Sequence, residues 1–156
     1  MGRNDGHKFN YSKITEDIYI GSDLCKGGVC MIHGEEFRRM GITSEINLSD
    51  ENNELPPKGL ESYTWLPVVD GHSPSQRQLV MGTSLIKEVV DQGGKIYVHC
   101  KNGHGRSPTL VAAYFMKVKG QSLESAIATI KEKRPEIHIE DTQLKELKIF
   151  SEKWLK

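Results

Sequence analysis

Hydrophobic positions along the chain alternate between two periods. Four short stretches, Ile18–Ile20, Glu45–Leu48, Tyr63–Val69 and Lys95–His99, are rich in β-branched or aromatic residues. Each runs into turn chemistry: Gly-Ser, Ser-Asp-Glu-Asn-Asn, Asp-Gly-His-Ser-Pro and Cys-Lys-Asn-Gly. They are predicted to be strands. The intervening and following segments carry helical periodicity. Glu35–Met40 is short, while Ser75–Asp91 places Leu79, Val80, Leu85, Ile86, Val89 and Val90 near one face before Gly93-Gly94. Ser107–Lys119 has Pro108 in its first turn, where the missing N–H is harmless, and stops at Gly120. Ser122–Lys133 opens Ser-Leu-Glu-Ser, and Asp141–Leu155 is amphipathic. Strands alternating with helices, then a helical C-terminal half, predict an α/β layer fold. It has a small central sheet of about four to five strands, largely parallel or mixed, flanked by helices. With no internal repeat or long linker, residues 1–156 read as one domain, with 1–13 as a flexible or loosely packed arm.

Composition narrows the class. The chain has 156 residues, 37% of them hydrophobic and 27% charged, and its 21 basic and 21 acidic side chains cancel. That is a globular domain with a real core. A neutral balance is not that of a nucleic-acid binder, which needs a basic excess to displace counterions. No stretch nears the roughly 20 apolar residues of a membrane span; the longest uncharged apolar segment is Pro108–Met116. The polar N-terminus lacks a secretory signal, and Gly6 stands where a myristoylation pattern needs Ser or Thr. Three cysteines, Cys25, Cys30 and Cys100, are too few for a disulfide framework. A cytoplasmic monomer without stable membrane association is expected. Charge is nonetheless uneven: residues 1–94 carry nine basic and fourteen acidic side chains, whereas 95–121 carry five basic and no acidic ones.

That positive block surrounds Ile96-Tyr97-Val98-His99-Cys100-Lys101-Asn102-Gly103-His104-Gly105-Arg106-Ser107-Pro108. An apolar strand delivers Cys100 to its C-terminal end, a glycine-containing loop follows, and a helix begins beside Arg106. Ligand sites of open α/β sheets lie at this edge. The loop N–H groups of residues 101–105 can converge on one anion, Gly103 and Gly105 permit unusual dihedrals, and the helix N-terminus adds positive potential. Arg106 offers a planar fork for two phosphate oxygens. The same field favours the Cys100 thiolate.

The segment HCKNGHGRS resembles the HCxxGxxRS signature of the cysteine-dependent protein tyrosine and dual-specificity phosphatases, with Cys100 and Arg106 six apart as in the Cys-x5-Arg loop of that superfamily. Ile14–Gly21 resembles its first-strand segment, Leu66-Pro67-Val68-Val69-Asp70 its approach to the general-acid loop, and Lys133-Arg134-Pro135 with Gln143 its C-terminal segment. The length matches the compact dual-specificity and archaeal-type members. The resemblance implies a phosphomonoester hydrolase working through a cysteinyl-phosphate. Cys100 would be the nucleophile, and Arg106 the phosphate and transition-state ligand. Lys101, Asn102, Gly103, His104 and Gly105 would be substrate-binding, Ser107 the hydroxyl easing thiolate departure, Gln143 the water-orienting group and His99 a supporting residue. Such cleavage needs a proton for the leaving oxygen. Asp70, at the end of a strand and thirty residues before Cys100, is the general acid on this reading, with Asp50 and Glu51 as rivals. No metal or other cofactor is called for; Cys25-x4-Cys30 with His33 supplies only three zinc ligands.

The expected substrate is a phosphorylated protein or peptide, carrying phosphotyrosine and also phosphoserine or phosphothreonine, because a short chain leaves little material for the deep walls of a phosphotyrosine-only cleft. Basic residues at Lys101 and His104 resemble those of phosphoinositide phosphatases, so phosphoinositides or inositol phosphates are the alternative. From other classes, a rhodanese-like sulfurtransferase would not need Asp70, Ser107 or Gln143, and a non-catalytic phosphate-binding module would not need Cys100 with Asp70.

Overall fold

Burial along the strands decides the layering. In the computed structural model, which describes residues 10–26, 29–30, 34–54 and 59–155, five strands form one sheet. They are β1 (Tyr11–Lys13), β2 (Ile18–Gly21), β5 (Ile42–Ser49), β6 (Ser62–Val68) and β7 (Lys95–His99), in the order β1-β2-β7-β5-β6. β1 is antiparallel to β2 and every other pairing is parallel, giving the mixed sheet expected. A separate ribbon of β3 (Cys25–Lys26) and β4 (Val29–Cys30) sets Cys25 opposite Cys30 in backbone register. His33 lies outside the described residues, and with it the candidate zinc set.

Successive side chains on a strand face opposite ways, so each buried strand feeds two cores. Ile18, Ile20, Ile96 and Val98 join the larger one, while Tyr19, Tyr97 and Ile42 join Phe37 in the smaller. The helices are α1 (Glu35–Met40), α2 (Gln76–Asp91), α3 (Arg106–Lys119), α4 (Leu123–Lys133) and α5 (Asp141–Trp154). α3 is buried continuously from Arg106 to Met116, the pattern of a central helix with no solvent face. It lies against β7 and β2, and α2, α4 and α5 pack around it. α1 supplies Phe37 to the smaller core.

Several boundaries differ from the sequence pattern for local reasons. Within the stretch 1–13 expected to be a loose arm, Tyr11–Lys13 pair with Tyr19–Gly21; residues 1–9 lie outside the described residues. Ser75 and Ser122 stand just outside α2 and α4 as N-caps, each accepting from the N–H three residues on. Ser107 is not a cap: α3 starts one residue earlier, with Gly105 at its N-cap position. For function the topology has one main consequence. β5, β6 and β7 run parallel, with Asn47 level with His99 and Ser49 with Val68. Glu51, Asp70 and Cys100, which follow those strands, therefore emerge at one edge of the sheet.

Candidate active site

Between Cys100 and α3 the chain closes into a loop whose carbonyls are held from outside. The Lys101 carbonyl accepts from the Asp23 N–H at 3.1 Å, and that of Asn102 from Arg134 Nη2 at 3.0 Å. The Gly103 carbonyl accepts from Arg134 Nε at 2.8 Å, that of His104 from the His138 N–H at 2.7 Å, and that of Gly105 from Thr109 Oγ1 at 2.7 Å. Turning the carbonyls outward leaves the amide N–H groups to converge on the inside, the geometry of an anion-binding nest. The Gly103 N–H shows this directly, reaching Cys100 Sγ at 3.2 Å.

The two glycines serve different ends. Gly103 has φ +73°, and a Cβ there would meet the Gly21 carbonyl at 2.5 Å, so both backbone and space require glycine. Gly105 has φ −131° and needs no special dihedral. A Cβ on it would instead stand 3.1 Å from Gln143 Nε2, so the expectation of an unusual conformation there gives way to one of close approach.

Cys100 is 2% exposed at the base of this loop, with Ser107 Oγ at 3.4 Å. Burial pushes its thiol up, but the Arg106 charge, the Ser107 hydroxyl and the N–H groups of Ser107 and Gly103 outweigh it, so the net shift is down. Arg106 is also 2% exposed. Its Nη1 donates to Glu51 Oε1 at 2.6 Å and to the Val68 carbonyl at 2.7 Å, and its Nη2 donates to Glu51 Oε2 at 3.1 Å. Only the arginine of this pair is buried, Glu51 being 40% exposed, and its carboxylate is what makes a buried guanidinium tolerable. Nε alone has no partner, a buried donor left for an incoming anion.

This geometry separates the rival carboxylates. The Arg106 hydrogen bond pulls the Glu51 carboxyl down to about 2, against a smaller upward push from burial. Glu51 is therefore ionised at neutral pH and cannot donate a proton. Because its folded value is lowered, the stability it lends is present above about 4.5 and is lost as pH falls towards 2. Asp50 is exposed and in no bond to Arg106. Asp70 is largely exposed, with Oδ1 3.6 Å from Arg106 Nη2, at the rim of the pocket.

Behind the loop, His99 is fully buried, with Nε2 2.6 Å from Glu45 Oε2 and Nδ1 3.3 Å from the Cys100 carbonyl. Burial pushes its pKa down, but the Glu45 bond and charge prevail and raise it. Its two ring nitrogens thus link the Glu45 carboxylate to the Cys100 carbonyl, the first of the loop. Asp23, Glu54 and His99 bring ligand atoms within 4.8 Å of one another, the one such group among the described residues. Burial, then the Glu45 and Asp23 carboxylates, raise the Glu54 carboxyl to about 11.

A buried cysteine in an N–H nest beside an arginine is the arrangement that the HCKNGHGRS resemblance implies. The family model for the dual specificity phosphatase catalytic domain matches residues 26–153. The chain belongs to the dual-specificity phosphatase family. It is 39% identical over 149 residues to phosphatidylglycerophosphatase and protein-tyrosine phosphatase 1 of Homo sapiens, covering 92% of this chain and 74% of that one. It is 36% identical over 123 residues to dual specificity protein phosphatase 5 of Homo sapiens, a match spanning 78% of this chain but 30% of that longer protein. The crystal structure of PTPMT1 in complex with PI(5)P superposes with a TM-score of 0.81 at 27% identity, covering 93% of this chain and 96% of that one.

Within this dual-specificity phosphatase, the sequence-predicted residues divide. Cys100, Gly103, Arg106, Ser107 and Asp70 meet at one pocket, and Lys101, Asn102, His104 and Gly105 complete the loop. Gln143 is 1% exposed, but its Oε1 accepts from the Glu140 N–H at 2.8 Å and its Nε2 donates to the His72 carbonyl at 3.0 Å. These bonds use one of its two carbonyl lone pairs and one of its two N–H groups, and leave the expected water-orienting role as it was. Three contributors escaped the sequence pattern: Glu51 as the arginine's partner, Glu45 as the histidine's, and Arg134, fully buried and bonded to two loop carbonyls. Arg134 stands in the Arg-Pro pair noted in the sequence, the one signal that could have found it.

Proposed function

We propose that the chain hydrolyses phosphotyrosine and phosphoserine or phosphothreonine in proteins through a cysteinyl-phosphate. The observation that carries this is the convergence on one pocket of a buried, acidified Cys100, an Arg106 with a free Nε donor, and Asp70 at the rim. The Cys100 thiolate attacks phosphorus and the P–O bond to the leaving group breaks as the Asp70 carboxylic acid gives that oxygen its proton. Loop N–H groups and Arg106 bind the equatorial oxygens where charge develops. Water then attacks the cysteinyl-phosphate while Asp70 takes its proton. The S–P bond breaks, and the Ser107 hydroxyl, already beside the sulfur, donates to the departing thiolate. His99 holds the loop from behind.

Lys101 and His104 at the loop, with the likeness to PTPMT1 in complex with PI(5)P, support inositol phosphates as a second substrate class. A panel of phosphotyrosine peptide, phosphothreonine peptide and soluble inositol phosphates decides between them. Higher kcat/KM on the peptides is expected; a preference for the inositol phosphates reverses the assignment. Asp70→Ala is expected to lower kcat/KM on alkyl phosphates about 10²- to 10⁴-fold, the range of general acid catalysis. The same loss in Glu51→Ala with Asp70→Ala silent would move the acid to Glu51. We extend the proposal to a cytoplasmic monomer without nucleic-acid or stable membrane partners. The zero formal charge supports the lack of a nucleic-acid surface, and among the described residues no helix is long and apolar enough to cross a membrane.

A further inference from the structure

The acid loop, residues 69–74, is weakly held by itself. Its internal bonds run from the His72 N–H to the Val69 carbonyl at 3.0 Å and from Ser73 Oγ to the Pro74 carbonyl at 2.8 Å, Gly71 sits at φ +82° with nothing within 4 Å of its missing Cβ, and Asp70 is 74% exposed. Beside the 3.6 Å contact of Asp70 with Arg106, its restraints come from α5. Thr142 Oγ1 donates to the Gly71 carbonyl at 2.9 Å and Gln143 Nε2 to the His72 carbonyl at 3.0 Å. The orientation of Gln143 is not free, because Oε1 already accepts the Glu140 N–H as one arm of a capping box. One turn further on, Glu146 accepts from Gln76 Nε2 at 2.7 Å and so tethers the start of α2, into which the acid loop runs.

The same stretch of chain touches the phosphate loop. Gln143 packs on Gly105 so closely that a Cβ there would stand 3.1 Å from its Nε2, and the His138 N–H donates to the His104 carbonyl at 2.7 Å. Residues 138–143 therefore meet both halves of the site: Thr142 and Gln143 bond to the loop bearing Asp70, while His138 bonds to, and Gln143 packs on, the loop bearing Cys100.

We propose that the first turn of α5 is a brace that fixes the acid loop over the phosphate loop, with Thr142 and Gln143 as positioning residues for Asp70. This rests on Asp70 being the general acid. In this role Gln143 acts through the His72 carbonyl. Losing one bond of the brace shifts the loop towards conformations in which Asp70 is out of reach of the leaving oxygen. The penalty falls only on steps that need its proton.

The test is the dependence of kcat/KM on leaving-group pKa across aryl and alkyl phosphates, for wild type, Thr142→Val, Thr142→Ser, Gln143→Leu and Asp70→Ala, with vanadate inhibition reporting the intact phosphate loop. Wild type is expected to be nearly flat and Asp70→Ala steep. Thr142→Val is expected to lower kcat/KM on alkyl phosphates about fivefold, the worth of one net hydrogen bond, with little change for p-nitrophenyl phosphate or vanadate. Thr142→Ser, which keeps the hydroxyl, restores the wild-type slope. If Asp70→Ala is steep while Thr142→Val stays flat, or loses equally on every substrate, the brace is overturned and the acid assignment stands. If Asp70→Ala is itself flat, the acid assignment falls and the brace with it. Should Gln143→Leu lose vanadate binding through misfolding, the Thr142 pair decides alone.

Discussion

Cys100→Ser is expected to lower turnover of p-nitrophenyl phosphate by at least about 10⁴-fold, the scale on which removing a covalent nucleophile acts, while vanadate still binds. The expectation follows from what surrounds the sulfur. The Gly103 N–H, the Ser107 hydroxyl and the Arg106 charge all stabilise an anion at that point and together overcome burial. A serine hydroxyl in the same field ionises far less readily than a thiol, so the nest would remain and the nucleophile would vanish. The sign of the pH dependence is fixed by the lowered thiol: alkylation of Cys100 by iodoacetamide should remain fast at pH values where a free thiol is protonated, and should fall only as pH drops through the lowered value. Ser107→Ala removes one stabilising donor and should move that fall upward in pH. Retained turnover in Cys100→Ser would remove the covalent mechanism, and an alkylation midpoint at or above that of a free thiol would remove the account of its activation.

The parts of the site that could be read from the sequence are those built by consecutive residues. A strand, a glycine-containing loop and a helix N-terminus follow each other within Ile96–Pro108, and their chemistry depends on local backbone geometry. Asp70 was legible for a related reason: it directly follows a strand, and parallel strands end together. Glu51 was read as a rival acid because position relative to β5 says which edge a carboxylate occupies but not which partner it meets there; only the register of β5 against β7 puts it on Arg106. The partners of Glu45 and Arg134 were hidden for a stronger reason. Each is a charged residue made tolerable inside by groups far away in the chain, His99 for one and the carbonyls of Asn102 and Gly103 for the other. The short β1 was missed because three residues of mixed polarity are too few to show a period.

Arg106→Lys tests the other half of the pocket. The guanidinium performs three tasks at once: it ties to Glu51 through both Nη atoms, it donates to the Val68 carbonyl next to the acid loop, and it keeps Nε for the anion. An ammonium has charge but no fork. Placed in the same volume, it can satisfy Glu51, whose ionised carboxylate is the nearer attraction, or reach the phosphate, but not hold the geometry of both. Removing one preorganised donor to a developing oxyanion lowers rates about 10²- to 10³-fold, and here the bidentate grip goes as well. A loss of kcat/KM of about 10³-fold is therefore expected, with vanadate affinity falling in parallel. Glu51→Gln is expected to be milder, about tenfold and chiefly in KM, because the amide can still accept from one Nη while the charge that keeps the buried guanidinium in register is lost. The two variants together identify the task. If Arg106→Lys stays within tenfold of wild type, positive charge alone is sufficient and the free Nε donor is not the feature that grips phosphate. If Glu51→Gln loses as much as Arg106→Lys, the carboxylate does more than hold the arginine and belongs among the groups that touch the reacting phosphate.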